Sequence, residues 1–411
     1  MIVAGGGLGA MWAPADSARA VATVYTVSLL ATLPIAAAAV GALVLRRASA
    51  ASRTAMLRAA VFALLIAYVA RHLPMHWFAW TVPAPLAAPL VELGRIQVMS
   101  APASAAGGGF SFADALAVAY WLGALLVIAP TVAASIVSRR RARRTNGLAG
   151  REHVLTAVAR TLGVRRAVAV HVSSRAMVPA TWGWLRPVVL LPAEAIGWSD
   201  DELRIVLTHE LSHVRASDWI CGVAARVMCA LYWFHPGAWW IARRLEENAE
   251  LACDERVIGA GIRRSDYAEL LVRAASMLPA ARAASALAFA GPRATGIRAR
   301  LAVILDPAHV ARPLARRWSR LSMAATIALA VPMSMVRLAP TRGVLTSLMR
   351  DARWESRAYA VLGLAQRPDT IAEARSAAER DPSPRVRAWA RYALAEYGVT
   401  APAGASRTTR P

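Results

Sequence analysis

Long apolar runs constrain this chain most, because each must be covered by protein or by lipid. The run from about Val21 to Leu45 carries no charge. A second, about 59–80, is interrupted only by Arg71, and a third covers about 115–137. A fourth lies within 319–338; its apolar part, about Leu321 to Val336, is short against the roughly 20 residues a helix needs to cross a bilayer. Hydrophobic residues make up 57% of the chain, a high share for a soluble protein. The four runs therefore read as membrane spans. The first does not read as a cleavable signal, since Arg46 and Arg47 follow it instead of preceding it.

Charge sets the orientation. Arg46, Arg47, Arg53 and Arg58 lie between the first two spans, and the run Arg139 to Arg144 follows the third. The loop of about 81–112 holds only Glu92 and Arg95. Basic residues favour the cytoplasmic side. The N-terminus is thus expected outside, residues 139–318 in the cytoplasm, and the tail after the fourth span outside. The formal net charge of +23 comes entirely from arginine, since no lysine occurs. That excludes a lysine nucleophile or base. Because the arginine runs flank spans, the basic excess points to a membrane surface and anionic lipid, not to direct nucleic-acid binding. Cys221, Cys229 and Cys253 have no paired spacing, which argues against a disulfide framework.

Within the cytoplasmic segment, a helix over about Arg151 to Leu162 is followed by "VAVHVSS", which reads as a strand. "VPATWGWLRPVVLLP" reads as two short strands around a turn at Trp182–Gly183. "SDDELRIVLTHELSHVR" then opens a helix. Ser199 and Glu202 have the spacing of a capping box, and Leu203, Leu207 and Leu211 form an apolar stripe.

His209 and His213 sit four apart in the middle of that helix, in a chain with 8 histidines. Residues four apart share a helix face, so both imidazoles can converge on one zinc ion. Glu210 is rotated off that face and can reach a water activated by the metal, the chemistry that the HExxH pattern serves. In "LEENAELACDERV", Glu250 and Asp254 are again four apart. Glu250 would complete a His2Glu site with one position open, as in catalytic zinc sites. Asp254 would fix a ligand histidine by accepting from its outer nitrogen. Glu246 and Glu247 are rival ligands, read instead as a solvated helix start. Cys253 reads as a small packing residue off the Glu250 face.

"LTHELSHVRASDW", "WFHP" and "ELACDE", with "PATWGWLRPVVLLP" and "GIRARLAVILDP" as weaker motifs, resemble the BlaR/MecR-type membrane metallopeptidases, metallopeptidase family 56. The resemblance covers about residues 20–338. It implies a gluzincin endopeptidase with His209, His213 and Glu250 on zinc and Glu210 as base. It also implies a sensor that cleaves a cytoplasmic transcriptional repressor or starts its degradation. The antibiotic-sensing members carry a penicillin-binding domain that uses a lysine. This chain has no lysine and fewer than about 75 residues after the fourth span, so beta-lactam sensing through such a domain is not expected.

Between the two motifs, about 219–242 is apolar enough to suggest another span. One crossing would put Glu250 on the wrong side of the membrane from His209, so a buried or membrane-dipping hairpin is expected instead. Trp233, Trp239 and Trp240 suit an interface. In the tail, "DARWESRAYAVLGLA" from Asp351 and "DPSPRVRAWARYALA" from Asp381 repeat with a period of 30 residues. They resemble a HEAT-type pair, which usually binds proteins and which packs on something else when so short.

The expected fold is mainly α. It comprises an N-terminal membrane domain (1–138), a cytoplasmic zinc-peptidase domain of α+β type (139–318), a fourth span (319–338), HEAT-like repeats (345–400) and a disordered tail (401–411). The expected function is a multi-pass zinc endopeptidase of the cytoplasmic membrane. Its expected partners are membrane lipid, a protein or peptide substrate such as a winged-helix repressor, and a partner or ligand of the repeats; the reading allows a homodimer. A housekeeping peptidase that degrades misfolded membrane proteins is the rival within enzymes. A receptor or scaffold with structural zinc is the rival outside them, and the intact Glu210 argues against it. Arg298 and Arg300 are the candidates for stabilising the oxyanion.

Overall fold

The computed structural model describes residues 31–72, 79–82, 112–142, 147, 150–276, 297–308, 324 and 337–397, less positions 33, 175, 177 and 368. The start of the first expected span, nearly all of the fourth, and the 401–411 tail lie outside the described residues.

The described parts of the first three apolar runs are mainly helical. Helix α1 covers Pro34–Val44. Helix α2, Ala50–His72, starts well before the expected Ala59. Its first turns are buried at Ala50, Thr54, Met56 and Leu57, so protein packing extends the helix backwards past the purely apolar stretch. Its other expected end is not helical, since Trp80 falls in strand β1, Ala79–Val82. Helix α3, Phe112–Ala142, runs through Pro130. Helices α2 and α3 are each long and apolar enough to cross a membrane, over Ala50–Val69 and Ala117–Ile136. Protein covers only 17% of the α3 stretch, leaving Trp121, Leu125 and Leu126 exposed. An apolar surface of that extent is what a lipid-facing helix presents.

The chain divides into two compact units. The first to be described takes residues 31–69 and 123–331. Its helix α4, Glu152–Leu162, ends on Gly163 in the left-handed conformation, φ 66°. Strands β2 (Ala169–Ser173), β3 (Ala180–Trp182) and β4 (Val188–Pro192) form a sheet in the order β2-β4-β3. Strand β4 runs parallel to β2, with Val170 opposite Val189, and antiparallel to β3, with Thr181 opposite Val189. The β3–β4 turn needs Gly183: its φ is 90°, and a Cβ there would sit 2.8 Å from the Arg186 carbonyl oxygen.

Helix α5, Asp200–Ala216, opens on the expected capping box: Glu202 N–H donates to Ser199 Oγ, and Ser199 N–H donates to the Glu202 carboxylate. Leu203, Leu207 and Leu211 are fully buried against α4 and the sheet, with Val158, Leu162, Val189 and Leu191. Truncating one such leucine to alanine typically costs about 2–5 kcal/mol. This packing fixes which side of α5 is left for chemistry.

Helices α6 (Asp218–Leu231) and α7 (Pro236–Gly259) form the hairpin expected between the motifs. Its turn packs on the apolar helices. Tyr232 is buried and donates to the Leu64 carbonyl of α2 at 3.1 Å. Trp233 lies so close to Gly123 of α3 that a Cβ there would meet its ring at 2.5 Å. Helices α8 (Arg264–Ser276) and α9 (Ile297–Leu305) close the other side, burying Tyr267 and Ile304 with Ile205 and Val257.

The second unit takes residues 70–122 and 332–411. Strand β5, Arg337–Pro340, pairs parallel with β1. Helices α10 (Arg342–Leu348), α11 (Trp354–Ala365), α12 (Ile371–Arg380) and α13 (Pro384–Tyr397) follow and share a core of Leu345, Val361, Leu364, Ala374, Val386 and Ala390. The period of 30 residues is structural as well. Arg357 donates to the carbonyls of Asp351 and Ala352, and Arg387 donates to those of Asp381 and Pro382. Arg357 also reaches forward to the next Asp381 with two hydrogen bonds, at 2.9 and 3.1 Å.

Candidate active site

Helix α5 presents His209 and His213 on one face, and α7 brings Glu250 against them. The two Nε2 atoms lie 3.3 Å apart, and the Glu250 carboxylate oxygens lie 3.6 Å from His209 Nε2 and 3.5 Å from His213 Nε2. A tetrahedral zinc site with ligands at about 2.0–2.1 Å has corners about 3.3 Å apart. The three donor atoms therefore fit one such ion, and the residues form a metal-spaced group. Glu246 and Glu247 are not part of it. Glu247 is engaged by Arg243 and Arg244 instead.

Each histidine is held from behind through Nδ1. His213 Nδ1 lies 2.7 Å from Asp218 Oδ2. His209 Nδ1 lies 2.9 Å from the Tyr267 hydroxyl, whose own proton goes to Asp254 Oδ1 at 2.5 Å. The hydroxyl is thus the acceptor for His209. Both rings then carry their Nδ1 proton outward and turn Nε2 toward the metal position. Asp254 is fully buried and acts on His209 chiefly through Tyr267, its own oxygen being 3.4 Å from Nδ1. Sequence spacing suggested a direct bond.

Arg300 of α9 completes this layer. It donates twice to Asp254, at 2.8 and 2.7 Å, and pairs with Glu250 Oε2 at 2.9 Å. It is committed to orienting carboxylates, whereas Arg298 is exposed on the same helix. Cys253 is buried, as expected, but its sulfur lies 3.4 Å from His213 Nδ1. Three residues past Glu250 is only a small rotation around a helix, enough to bring the side chain into the cluster.

The electrostatics follow from this packing. Burial opposes the charged form of Glu250, yet the His209 hydrogen bond and the His213 and Arg300 charges hold it well below the usual carboxylate range. Burial likewise opposes charging His209 and His213. The Asp254 and Glu250 carboxylates outweigh it for His209, and Cys253, Asp218 and Glu250 outweigh it for His213, so both lie above the ordinary imidazole value. Burial and the Asp254 charge push the Tyr267 hydroxyl well up, keeping it a neutral donor.

Glu210 has a separate partner. It is buried, and the Thr181 hydroxyl of the edge strand β3 donates to its Oε2 at 2.6 Å. Glu210 is thereby anchored to the sheet, while His209, His213 and Glu250 are anchored by residues of α6, α7, α8 and α9.

Sequence reasoning did not find Asp218, Tyr267 or Thr181. Asp218 had a local signal, lying five residues after His213. The bridge depends on Ser217, which takes a left-handed φ of 58° and breaks α5 from α6 so that Asp218 turns back on His213. Such a conformation is uncommon for a residue other than glycine.

The family described as BlaR1 peptidase M56 matches residues 23–304. The regulatory protein BlaR1 of Bacillus licheniformis is 32% identical over 80 residues, which is 20% of this chain and 13% of that protein. The methicillin resistance mecR1 protein of Staphylococcus aureus is 25% identical over 95 residues, 23% of this chain and 16% of that protein. The same protein of Staphylococcus epidermidis matches to the same extent. In each case the chain covers well under a quarter of the relative's own length.

Proposed function

The chain belongs to the BlaR1 peptidase M56 family, and from that premise we propose that it is a membrane zinc endopeptidase that transmits a signal by cutting a cytoplasmic protein. The observation that carries the reading is the triangle of His209, His213 and Glu250 donors beside a buried, separately anchored Glu210. A structural zinc site needs no such base, which disfavours a purely scaffolding role.

A zinc ion held by His209, His213 and Glu250 would supply Lewis acidity and lower the pKa of a water there to about 7. Glu210 accepts the proton of the attacking water and delivers it to the leaving amine. Thr181 fixes one Glu210 oxygen, leaving the other for that exchange. Strand β3 is the edge of its sheet, so an extended peptide can add to it alongside Glu210. Asp218, Tyr267 and Arg300 keep the ligands aligned.

The orientation follows the positive-inside rule, with the metal site in the cytoplasm. Strand β1 follows α2 and pairs with β5, where the tail begins, which supports a tail on the side to which α2 leads. An outside tail has no direct access to a cytoplasmic substrate. Its HEAT-like pair would then be a sensor or partner-binding module that biases the membrane helices between two states. The similarity to a regulatory protein, BlaR1, favours a regulator as the substrate class, and we take it to be a transcriptional repressor. The test is to strip metal from the detergent-solubilised protein and assay cleavage of a candidate winged-helix repressor. Cleavage lost with the metal and restored by zinc supports the reading; cleavage indifferent to chelation defeats it.

A further inference from the structure

Helix α2 is joined to the catalytic helices at three points. The Ala50 N–H at its start donates to both Glu255 oxygens, at 3.1 and 3.2 Å. Arg53 Nε donates to Asn248 Oδ1 at 2.6 Å, two residues before the ligand Glu250. Arg58 donates to the Ala216 carbonyl at the end of α5, at 2.9 Å, and pairs with Asp218 Oδ1. The other oxygen of that Asp218 carboxylate holds His213 Nδ1. Only one carboxylate therefore separates a charged residue of an apolar, membrane-length helix from a metal ligand.

We infer that Arg58 is a positioning residue of the metal centre, setting His213 through Asp218, so that α2 and the ligand move together. The inference rests on the zinc-site reading above. Two features make Arg58 suited to the role. A carboxylate shared between a guanidinium and an imidazole has both oxygens committed and cannot turn without releasing one partner. Arg58 and Asp218 are also largely shielded from water, with side chains 21% and 13% exposed, so their attraction is screened less than at a surface. The Ala216 carbonyl bond ties the same guanidinium to the C-terminal end of the helix that carries His213, where a cation is favoured. Sequence reading treated Arg53 and Arg58 as topology signals only. Their hydrogen bonds give them a second task, which reports the position of α2 to the site. A shift of α2 that withdrew Arg58 would free the Asp218 carboxylate and loosen His213.

The test is zinc affinity of the full-length solubilised protein, measured by competition with a fluorescent chelator. Groups behind a metal ligand typically change affinity by about 10–100-fold. Arg58→Ala is expected to weaken zinc binding by about tenfold, and Arg58→Lys to recover most of that loss. Because Arg58 acts through Asp218, the Arg58→Ala/Asp218→Ala pair should bind no more weakly than Asp218→Ala alone. Wild-type affinity in Arg58→Ala, no recovery with lysine, or losses that simply add in the pair would overturn the inference. If Arg58→Ala does not accumulate folded, Arg58→Gln supplies the same comparison. Separate arms test the underlying site. A wild type that binds no zinc, or a His213→Ala variant that binds it fully, defeats the site itself. A zinc-binding wild type with an indifferent Arg58→Ala defeats only the positioning role.

Discussion

Asp218 holds His213 by Nδ1 at 2.7 Å, from the first residue of the helix that follows the histidine's own. The bond selects the tautomer that frees Nε2 for metal. Asp218→Asn keeps the shape but removes the charge and can present an N–H to the ring instead. Zinc affinity should fall by about 10–100-fold, the usual cost of losing such a partner. Equilibrium dialysis against buffered zinc checks this, and unchanged affinity would show that the ring is oriented by its packing alone.

Acidity gives a second expectation. A ligand imidazole must be neutral, so protons compete with the metal. In the metal-free protein His209 and His213 lie above the ordinary value of about 6.5, burial being outweighed by the acidic groups around them. Zinc affinity should therefore keep rising to a higher pH than it would for a histidine pair at the ordinary value of about 6.5. For the metal-free fold the sign is opposite. A raised imidazole stabilises it fully below about 6.5, and that contribution is lost as pH rises through the raised values. The thermal stabilisation conferred by zinc should grow as pH rises past about 6.5 and through the raised values. Melting curves with and without zinc read it directly, and a constant difference would contradict it.

Thr181 holds the proposed base by a 2.6 Å hydrogen bond. Thr181→Val should lower turnover by about tenfold, one mispositioned general base being worth about 100-fold or more when fully lost. Zinc content should not change, and Thr181→Ser should restore turnover. Equal turnover in all three would remove Thr181 from the base's support.

How much of this was legible depended on sequence distance. The capping box, the leucine stripe, the paired histidines and the Glu250/Asp254 spacing are all local, and helix periodicity reports local relations. Tyr267 and Arg300 reach the cluster from α8 and α9, far along the chain, and no spacing rule connects them to His209 or Glu250. Asp218 lies close in sequence but behind a helix break at a serine, where periodic reading stops. Helix α2 extends before its purely apolar stretch because Arg53 and Arg58, which read as flanking charges, have partners on α5, α6 and α7.

The tail repeats are joined by Arg357 and Asp381, whose side chains are 12% and 5% exposed. Asp381 also accepts the Ser383 N–H that starts the next turn. Asp381→Ala should cost the tail about 1–3 kcal/mol, as for other charged hydrogen bonds. Limited proteolysis of the full chain should then cut within 342–397 sooner, with zinc content unchanged. The side of the tail can be read in the same protein. Cys221, Cys229 and Cys253 are all buried, so a Ser376→Cys variant offers one accessible thiol. Labelling from outside intact cells is expected, and labelling only after lysis would make the repeats a cytoplasmic docking arm.

In the proposed function, the His209, His213 and Glu250 cluster and Glu210 together hydrolyse peptide bonds. Glu210→Gln preserves size and the Thr181 contact but removes the proton acceptor. The direct measurement is zinc content and peptide cleavage of this variant beside the wild type, in the same preparation. Zinc should remain stoichiometric while cleavage falls by at least about 100-fold. Undiminished cleavage with zinc in place would contradict the account and assign the chemistry to another residue.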